Sequence, residues 1–277
     1  MFGIILPNFG VAATKKNIHS FSQLSESLQY TSIWTTDHIL MPRQTVSPKV
    51  PYDHIFESIL TLGYIAGITE RIKLGTSVIV LPMRNPILLA KQIATLDALS
   101  DGRVILGLGV GWNEPEFKLL SANFKKRGLL MTEYIKAIKT LWTQEKPVFN
   151  GQFINFNDVN FSPKPIQKPH PPIWIGWDVF NRIAELGDGW HPSGSSPHEI
   201  ENGIKKLKTL TSRPITVSIR LTIPNDFKSN INQSIDLIES YKKIGVNDII
   251  CGFGNVSFDQ ITNNMKVFDR DVIPSFI

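Results

Sequence analysis

Three features of the sequence predict an α/β fold, a (β/α)8 TIM barrel with an insertion after strand 4. Short apolar runs rich in β-branched residues alternate with longer segments of helical period, the pattern of βα units around a parallel sheet. Eight strand candidates can be counted, and no Pro/Gly/Ser linker divides the chain, which favours one closed barrel over an open doubly wound sheet. The length, 277 residues, sits near the ~250 typical of such a barrel. Residues 1–277 are expected to form a single barrel domain, with an inserted helix and β-like segment at about 112–171.

Phe2 to Leu6 opens the chain as a strand, and Ser32 to Thr36 follows a helix whose apolar positions include Phe21, Leu24 and Leu28. A helix from about His54 to Ile68 precedes the strand Ile72 to Leu81, and one from about Pro86 to Leu99 precedes Val104 to Leu108. Proline suits the first turn at Pro86 because its missing N–H would have no partner there. The stretch Trp112 to Pro171 is too long for a plain βα connection. It divides into a helix, about Gly128 to Trp142, with Leu130, Tyr134, Ala137, Ile138 and Leu141 recurring at helical spacing, and a β-like piece, Val148 to Phe161, turning at Asn150-Gly151. The proline-rich run Ser162 to Pro172 then returns extended to the barrel. The last strands are Pro172 to Gly176, a short Gly189 to His191, Ile215 to Leu221 and Asp248 to Phe253. Helices are expected at about Pro197 to Leu210, Ile231 to Lys243 and Phe258 to Phe268.

With 42% hydrophobic and 19% charged residues the chain has ample material for a packed core and no signature of disorder. A net charge of +5 is mildly basic, and the basic residues are mostly scattered, so no nucleic-acid partner is expected. The lone Cys251, in an apolar run, excludes an internal disulfide and any CxxC motif and is expected in the core. No apolar stretch approaches the length of a membrane span, and the N-terminus lacks a basic region before its short apolar segment. The protein is expected to be soluble and cytoplasmic, with no membrane partner.

In such a barrel, function gathers at the C-terminal ends of the strands. Those ends carry Asn8, Asp37-His38, Gly109 to Asn113, Gly176-Trp177-Asp178, His191-Pro192 and Gly252 to Asn255. Glycines, aromatics and a few polar groups suit a flat, conjugated ligand held by stacking and backbone amides. The carboxylate pairs or HExxH arrangement of hydrolytic chemistry are missing. Asp37-His38 is the most chemical pair, because a histidine just past a strand end can shuttle a proton near neutral pH. The alternative is structural, with Asp37 bonding loop amides while His38 fills a rim. His191 is a second candidate, though Pro192 can simply end that strand; His19, His54, His170 and His198 are expected to face solvent.

The glycine-rich Gly107 to Phe117, GLGVGWNEPEF, has exposed amides to offer a phosphate, or small residues that let the barrel interior close. Its GxGxG spacing fails the dinucleotide fingerprint. Glu114 and Glu116, in the first turn of the next helix, oppose an anion there and are expected to act as caps. After the fifth strand, Gly176-Trp177-Asp178 opens a helix whose N–H groups can meet a phosphate, or Asp178 is only its N-cap.

Together, TTDHI at Thr35 to Ile39, the long block Leu74 to Phe117, KRGLLMTEYIKAIKTLW at Lys126 to Trp142, PKPIQKPHPPIWIG at Pro163 to Gly176 and LGDGWHP at Leu186 to Pro192 resemble the bacterial luciferase-like superfamily, closest to its coenzyme F420-dependent oxidoreductase branch. The resemblance covers nearly the whole chain. It implies a TIM barrel holding a deazaflavin (coenzyme F420), or alternatively FMN, at the C-terminal mouth. It places His38 and Asp37 near the reactive ring as catalytic residues, with Asn8 also at the coenzyme. It implies a bulge at Thr76-Ser77-Val78 with a non-proline cis peptide, assigned to Ser77-Val78. It makes Gly107, Gly109, Gly111 and Trp112 the fourth-strand ligand loop, and Gly176, Trp177 and Asp178 the phosphate-binding turn. No metal is implied.

This chain departs from the pattern in two places. Relatives commonly show two glycines where it has Gly176-Trp177, so the indole must point away or the turn must open differently. Flavin-using luciferases tend to carry an arginine where it has Val110 and Gly111, which leans toward the deazaflavin branch. The implied reaction is hydride transfer to or from a small organic substrate, with His38 or a bound water as acid or base. With FMN it would be a monooxygenase fed by a flavin reductase. A non-catalytic flavin-binding barrel and a sugar- or phosphate-processing barrel are the other classes, and a homodimer is the family's common assembly.

Overall fold

The computed structural model describes residues 1–45 and 52–277. In chain order the elements are β1 (Phe2–Ile5), α1 (Lys15–Ser27), β2 (Ser32–Thr35), α2 (Ser58–Ala66), β3 (Lys73–Thr76), β4 (Ile79–Val80), α3 (Pro86–Leu99), β5 (Val104–Gly109), α4 (Glu114–Leu119) and α5 (Arg127–Thr143). They continue with β6 (Phe149–Asn150), β7 (Asn155–Phe156), β8 (Ile173–Ile175), α6 (Phe180–Leu186), β9 (Gly189–Trp190), α7 (Pro197–Leu210), β10 (Thr216–Thr222), α8 (Ile231–Lys243), β11 (Asp248–Gly252) and α9 (Phe258–Asp271). All barrel pairings are parallel. β1 lies between β2 and β11, the ring continues through β10, β9, β8 and β5, and β5 closes it on β3. The predicted (β/α)8 barrel is therefore formed.

Local sequence explains most helix ends. Pro86 stands at the first position of α3, where Asn85 accepts from the amides of Ile87 and Leu88. Ser196 with Glu199 and Ser257 with Gln260 form capping boxes at α7 and α9. α2 starts later than the expected His54, at Ser58, because the Glu57 carboxylate accepts from the Leu60 amide and ends the loop there.

The expected third strand, Ile72 to Leu81, is interrupted. β3 stops at Thr76, the Ser77-Val78 peptide is cis, and β4 resumes the pairing with β5. The hairpin also differs in detail. Asn150 pairs with Asn155, so the connection spans Gly151 to Ile154 instead of turning on Asn150-Gly151. The cause is distant in sequence: the Glu133 carboxylate of α5 accepts from the amides of Gln152, Phe153 and Ile154 and shapes the loop.

Within the stretch expected to be inserted, α5 packs between α3 and α6, and the Trp142 indole donates to the Ala90 carbonyl of α3. It thus takes the ring position of the fourth βα unit. The additions to the barrel are α4, the β6–β7 hairpin and the proline-rich return, which Gln167 ties to the Asp97 carboxylate of α3.

Inside the barrel, Ile5, Trp34, Ile105, Trp174 and Ile250 form their own cluster. Trp34 stacks on Trp174 and on His191, each with ring centres 5.0 Å apart. Gly75 leaves the room: a Cβ there would come within 2.3 Å of the Trp34 ring. The larger core lies between the strands and the outer helices and includes Cys251, whose thiol burial holds in its neutral form. His170 is a correction to the expected solvent-facing histidines. Its side chain is 8% exposed beside Trp142, and burial lowers its pKa. No helix of the described residues is long and apolar enough to cross a membrane.

Candidate active site

At the C-terminal ends of the strands the barrel opens into a cavity of about 630 Å³. Its wall contains Asp37, His38, Ser77, Val78, Gly109 and Gly111, and of the other predicted residues Trp112, Gly176, Trp177, Asp178 and the second candidate histidine, His191, also line it. Gly109 and Gly111 let the backbone reach the wall. A Cβ on Gly109 would meet Val78 at 2.5 Å, and one on Gly111, whose φ is +80°, would meet Val80 at 2.5 Å.

Asn8, Thr76 and Gly107 do not line the cavity, contrary to expectation. Asn8 is fully buried; its amide group donates to the Thr36 and Phe56 carbonyls, and its Oδ1 accepts from the Thr36 amide. Thr76 donates to the Gly107 carbonyl. A Cβ on Gly107 would fall 1.9 Å from the Thr76 carbonyl oxygen, so this glycine serves the contact between β3 and β5. These residues support the wall from behind.

His38 and Asp37 have different surroundings. His38 Nδ1 lies 2.7 Å from Glu116 Oε2, and Glu116 is completely buried. Oε1 of the same carboxylate accepts from the amides of Ile39 and Leu40. Burial alone would raise the Glu116 pKa, but the His38 bond and these two amides outweigh it and leave the carboxyl below its ordinary range. An ionised Glu116 puts the proton on His38 Nδ1 and leaves Nε2 as the ring nitrogen available to the cavity. Glu116 is therefore not the helix cap the sequence suggested. Asp37 is saturated by protein: Oδ2 accepts from the Val80 amide, and Oδ1 pairs with Arg84 Nη2 at 2.5 Å.

The second histidine is deeper. His191 Nδ1 lies 2.6 Å from Ser218 Oγ, which donates to the Trp190 carbonyl and so accepts from the ring; Ser77 Oγ lies 2.9 Å from Nε2 and donates to it. Burial, helped by the charge of Arg220, lowers the His191 pKa to about 3, so the ring is neutral in the folded protein. A folded pKa below the unfolded value of ~6.5 stabilises the fold fully above that pH and less as pH falls toward 3. His191 is accordingly expected to remove about 2 kcal/mol of stability between pH 8 and pH 5. Urea unfolding of wild type and His191→Gln at the two pH values checks this; an unchanged difference between them would refute it.

Arg220, Arg127 and Tyr52 are among the cavity residues that sequence reasoning missed. Arg220 on β10 donates from Nη1 to the Ser77 carbonyl and from Nη2 to Thr36 Oγ1. Its signal was present: Thr216, Ser218, Arg220 and Thr222 alternate with Val217, Ile219 and Leu221, one polar face of a strand. Arg127, at the start of α5, reaches the cavity over the Phe124 ring, and its Nε has no partner among the described residues. Tyr52 stacks obliquely on His38 with centres 4.7 Å apart. Trp177, with φ +71° and 68% exposure, points its indole outward at the rim, and Asp178 is not a cap, since α6 begins two residues later without a side-chain bond.

The family model for luciferase-like monooxygenases matches residues 1–223. The chain belongs to this family. It is an oxidoreductase of the flavin- or F420-using kind, built on the TIM barrel. It is 30% identical over 252 residues to an uncharacterized protein of Mycobacterium tuberculosis, covering 86% of this chain and 87% of that one. It is 35% identical over 162 residues to an FMNH2-dependent dimethylsulfone monooxygenase of Pseudomonas putida, covering 56% of this chain and 44% of that one. An F420-dependent glucose-6-phosphate dehydrogenase of Kineococcus radiotolerans is 31% identical over 176 residues, covering 61% of this chain and 50% of its own length. In structure, the chain superposes on an F420-dependent secondary alcohol dehydrogenase with TM-score 0.83 over 100% of this chain and 99% of the other, at 15% identity.

Proposed function

We propose that this protein transfers a hydride between coenzyme F420 and a small organic substrate, with His38 as its acid–base residue. The observation that carries the reading is the buried His38–Glu116 pair in the wall of a cavity that also presents Val78 and the glycine backbone at Gly109, Gly111 and Gly176. At about 630 Å³ the cavity is within the roughly 300–1,000 Å³ usual for small-molecule sites. The glycine wall at Gly109, Gly111 and Gly176 would hold the ring plane, and Arg127 and the Gly176-Trp177-Asp178 turn would meet the phosphate-bearing tail. When bound, a deazaflavin supplies a carbon that accepts or releases a hydride with its electron pair. Glu116 keeps Nδ1 of His38 protonated and fixes the ring orientation, and Nε2 gives or takes the proton that a substrate oxygen gains or loses. Asp37, committed to Arg84 and Val80, positions the neighbouring backbone. Trp112, which meets His38 edge-on, restricts water at the rim.

The loop residues Val110 and Gly111, without an arginine, support the deazaflavin over FMN, as does the similarity to the Kineococcus dehydrogenase. The similarity to the dimethylsulfone monooxygenase supports the second reading, an FMN-dependent monooxygenase served by a flavin reductase. Equilibrium titration of the apoprotein with both coenzymes tests this. A preference for the deazaflavin of at least tenfold, ~1.4 kcal/mol, is expected. The reverse preference would establish the monooxygenase reading, and binding of neither would remove both.

A further inference from the structure

A second, smaller chamber of about 200 Å³ opens at the same mouth between the ends of β1, β10 and β11. Tyr52 and Arg220 line both chambers, so a ligand in the smaller one abuts whatever occupies the larger. Leu6, Phe9, Phe253 and Ile261 give its walls apolar surface, and polar surface, with Thr222 and Asn255 among the polar positions, is nearly equal in extent. Among the described residues, Arg220 is the one charged side chain that lines it.

Arg220 is unusual in its partners. Its bonds go to the Ser77 carbonyl at 2.6 Å, Ser77 Oγ at 3.3 Å and Thr36 Oγ1 at 3.3 Å, all neutral acceptors. Among the described residues no carboxylate lies within ion-pair distance of it. Arg84, behind the cavity wall, pairs with Asp37 and Glu57 instead. A guanidinium held deep in a protein without a counter-charge is costly, and its fork has more N–H groups than these bonds use. Burial lowers its pKa in keeping with that missing anion. A ligand carboxylate has the matching charge and planar geometry. The chamber is smaller than the roughly 300 Å³ at which drug-sized sites begin, which limits the ligand to a compact acid.

Resting on the reading of the larger cavity as the coenzyme site, we propose that the smaller chamber is a subsite for a small organic carboxylate, gripped by Arg220 and so brought beside His38 and the coenzyme. The substrate class is then a small organic acid with an apolar body.

Sodium benzoate and its neutral counterpart benzamide are the probes, titrated calorimetrically into the apoprotein, with FMN and deazaflavin titrations run separately. Benzoate is expected to bind at least about tenfold more tightly than benzamide. Arg220→Met should erase that preference, Arg220→Lys should restore part of it, and Thr222→Phe, which plugs the chamber from its exposed edge, should abolish benzoate binding while coenzyme affinity persists. Equal binding of the two probes overturns the proposal, as does benzoate binding that survives Arg220→Met or Thr222→Phe. Loss of coenzyme affinity in Thr222→Phe also overturns it, because the smaller chamber would then belong to the coenzyme. Failure of both coenzymes to bind wild type, with benzoate still selected, would sink the coenzyme reading and leave the carboxylate subsite standing. If Arg220→Met does not fold, the wild-type probe ratio and Thr222→Phe decide.

Discussion

His38→Gln is expected to lower kcat by about 10²–10⁴-fold, the usual worth of a positioned acid–base group, while coenzyme affinity stays within about threefold. The reason is geometric. Glutamine can still reach Glu116, but no side-chain atom replaces Nε2 as a proton carrier at that place in the cavity. Glu116→Gln isolates the supporting role. The amide retains shape and one oxygen acceptor for the Ile39 and Leu40 amides, yet loses the charge that stabilises a protonated His38 ring. Turnover should therefore fall by about 10–100-fold with KM nearly unchanged, because the lost interaction matters when the proton moves. Steady-state kinetics with the preferred coenzyme provide the measurement. A His38→Gln enzyme with wild-type kcat would refute the acid–base role, and a Glu116→Gln enzyme with altered KM alone would refute the positioning role.

Arg84→Met should produce the largest loss of stability. Asp37 is 3% exposed, and its carboxylate would remain in the wall with only the Val80 amide as partner. Removing one member of a buried ion pair costs about 3–5 kcal/mol, because the other charge keeps its desolvation penalty. That corresponds to a fall in Tm of roughly 10 °C for a chain of this size. The double variant Asp37→Asn/Arg84→Met should recover much of the loss, since the uncompensated charge is then gone. A thermal scan in which Arg84→Met melts within about 2 °C of wild type would contradict the account. The Arg84 guanidinium also contacts Glu57 at the start of α2, so the single variant is expected to loosen that helix end as well.

Much of the fold was legible from residue patterns. α3, α7 and α8 begin and end where the apolar period and the proline or polar starting residues put them, because these signals act within a turn of helix. The cis bond at Ser77-Val78 lies where the family resemblance placed it. The hairpin turn and the start of α2 were misplaced because carboxylates, Glu133 and Glu57, decide them; Glu133 does so from another element.

The site was legible by location more than by role. Strand ends identified His38, Gly109, Gly111 and Gly176 as cavity residues, since a barrel presents those ends at one mouth. Asn8, Thr76 and Gly107 lie just as close in sequence but turn into the wall, Asn8 through its bonds to Thr36 and Phe56 and the other two through the contact of β3 with β5.

Sequence by itself determined the βα rhythm, the closed barrel and the polar face of β10, because alternation and helical period are local properties that burial then enforces. Tertiary structure alone decided that Glu116 reaches back 78 residues to His38, that Arg220 meets Ser77 across 143 residues, and that Asp37 belongs to Arg84. Partners so far apart in the chain meet only once the barrel closes, and what a charged group does depends on which partner burial leaves it.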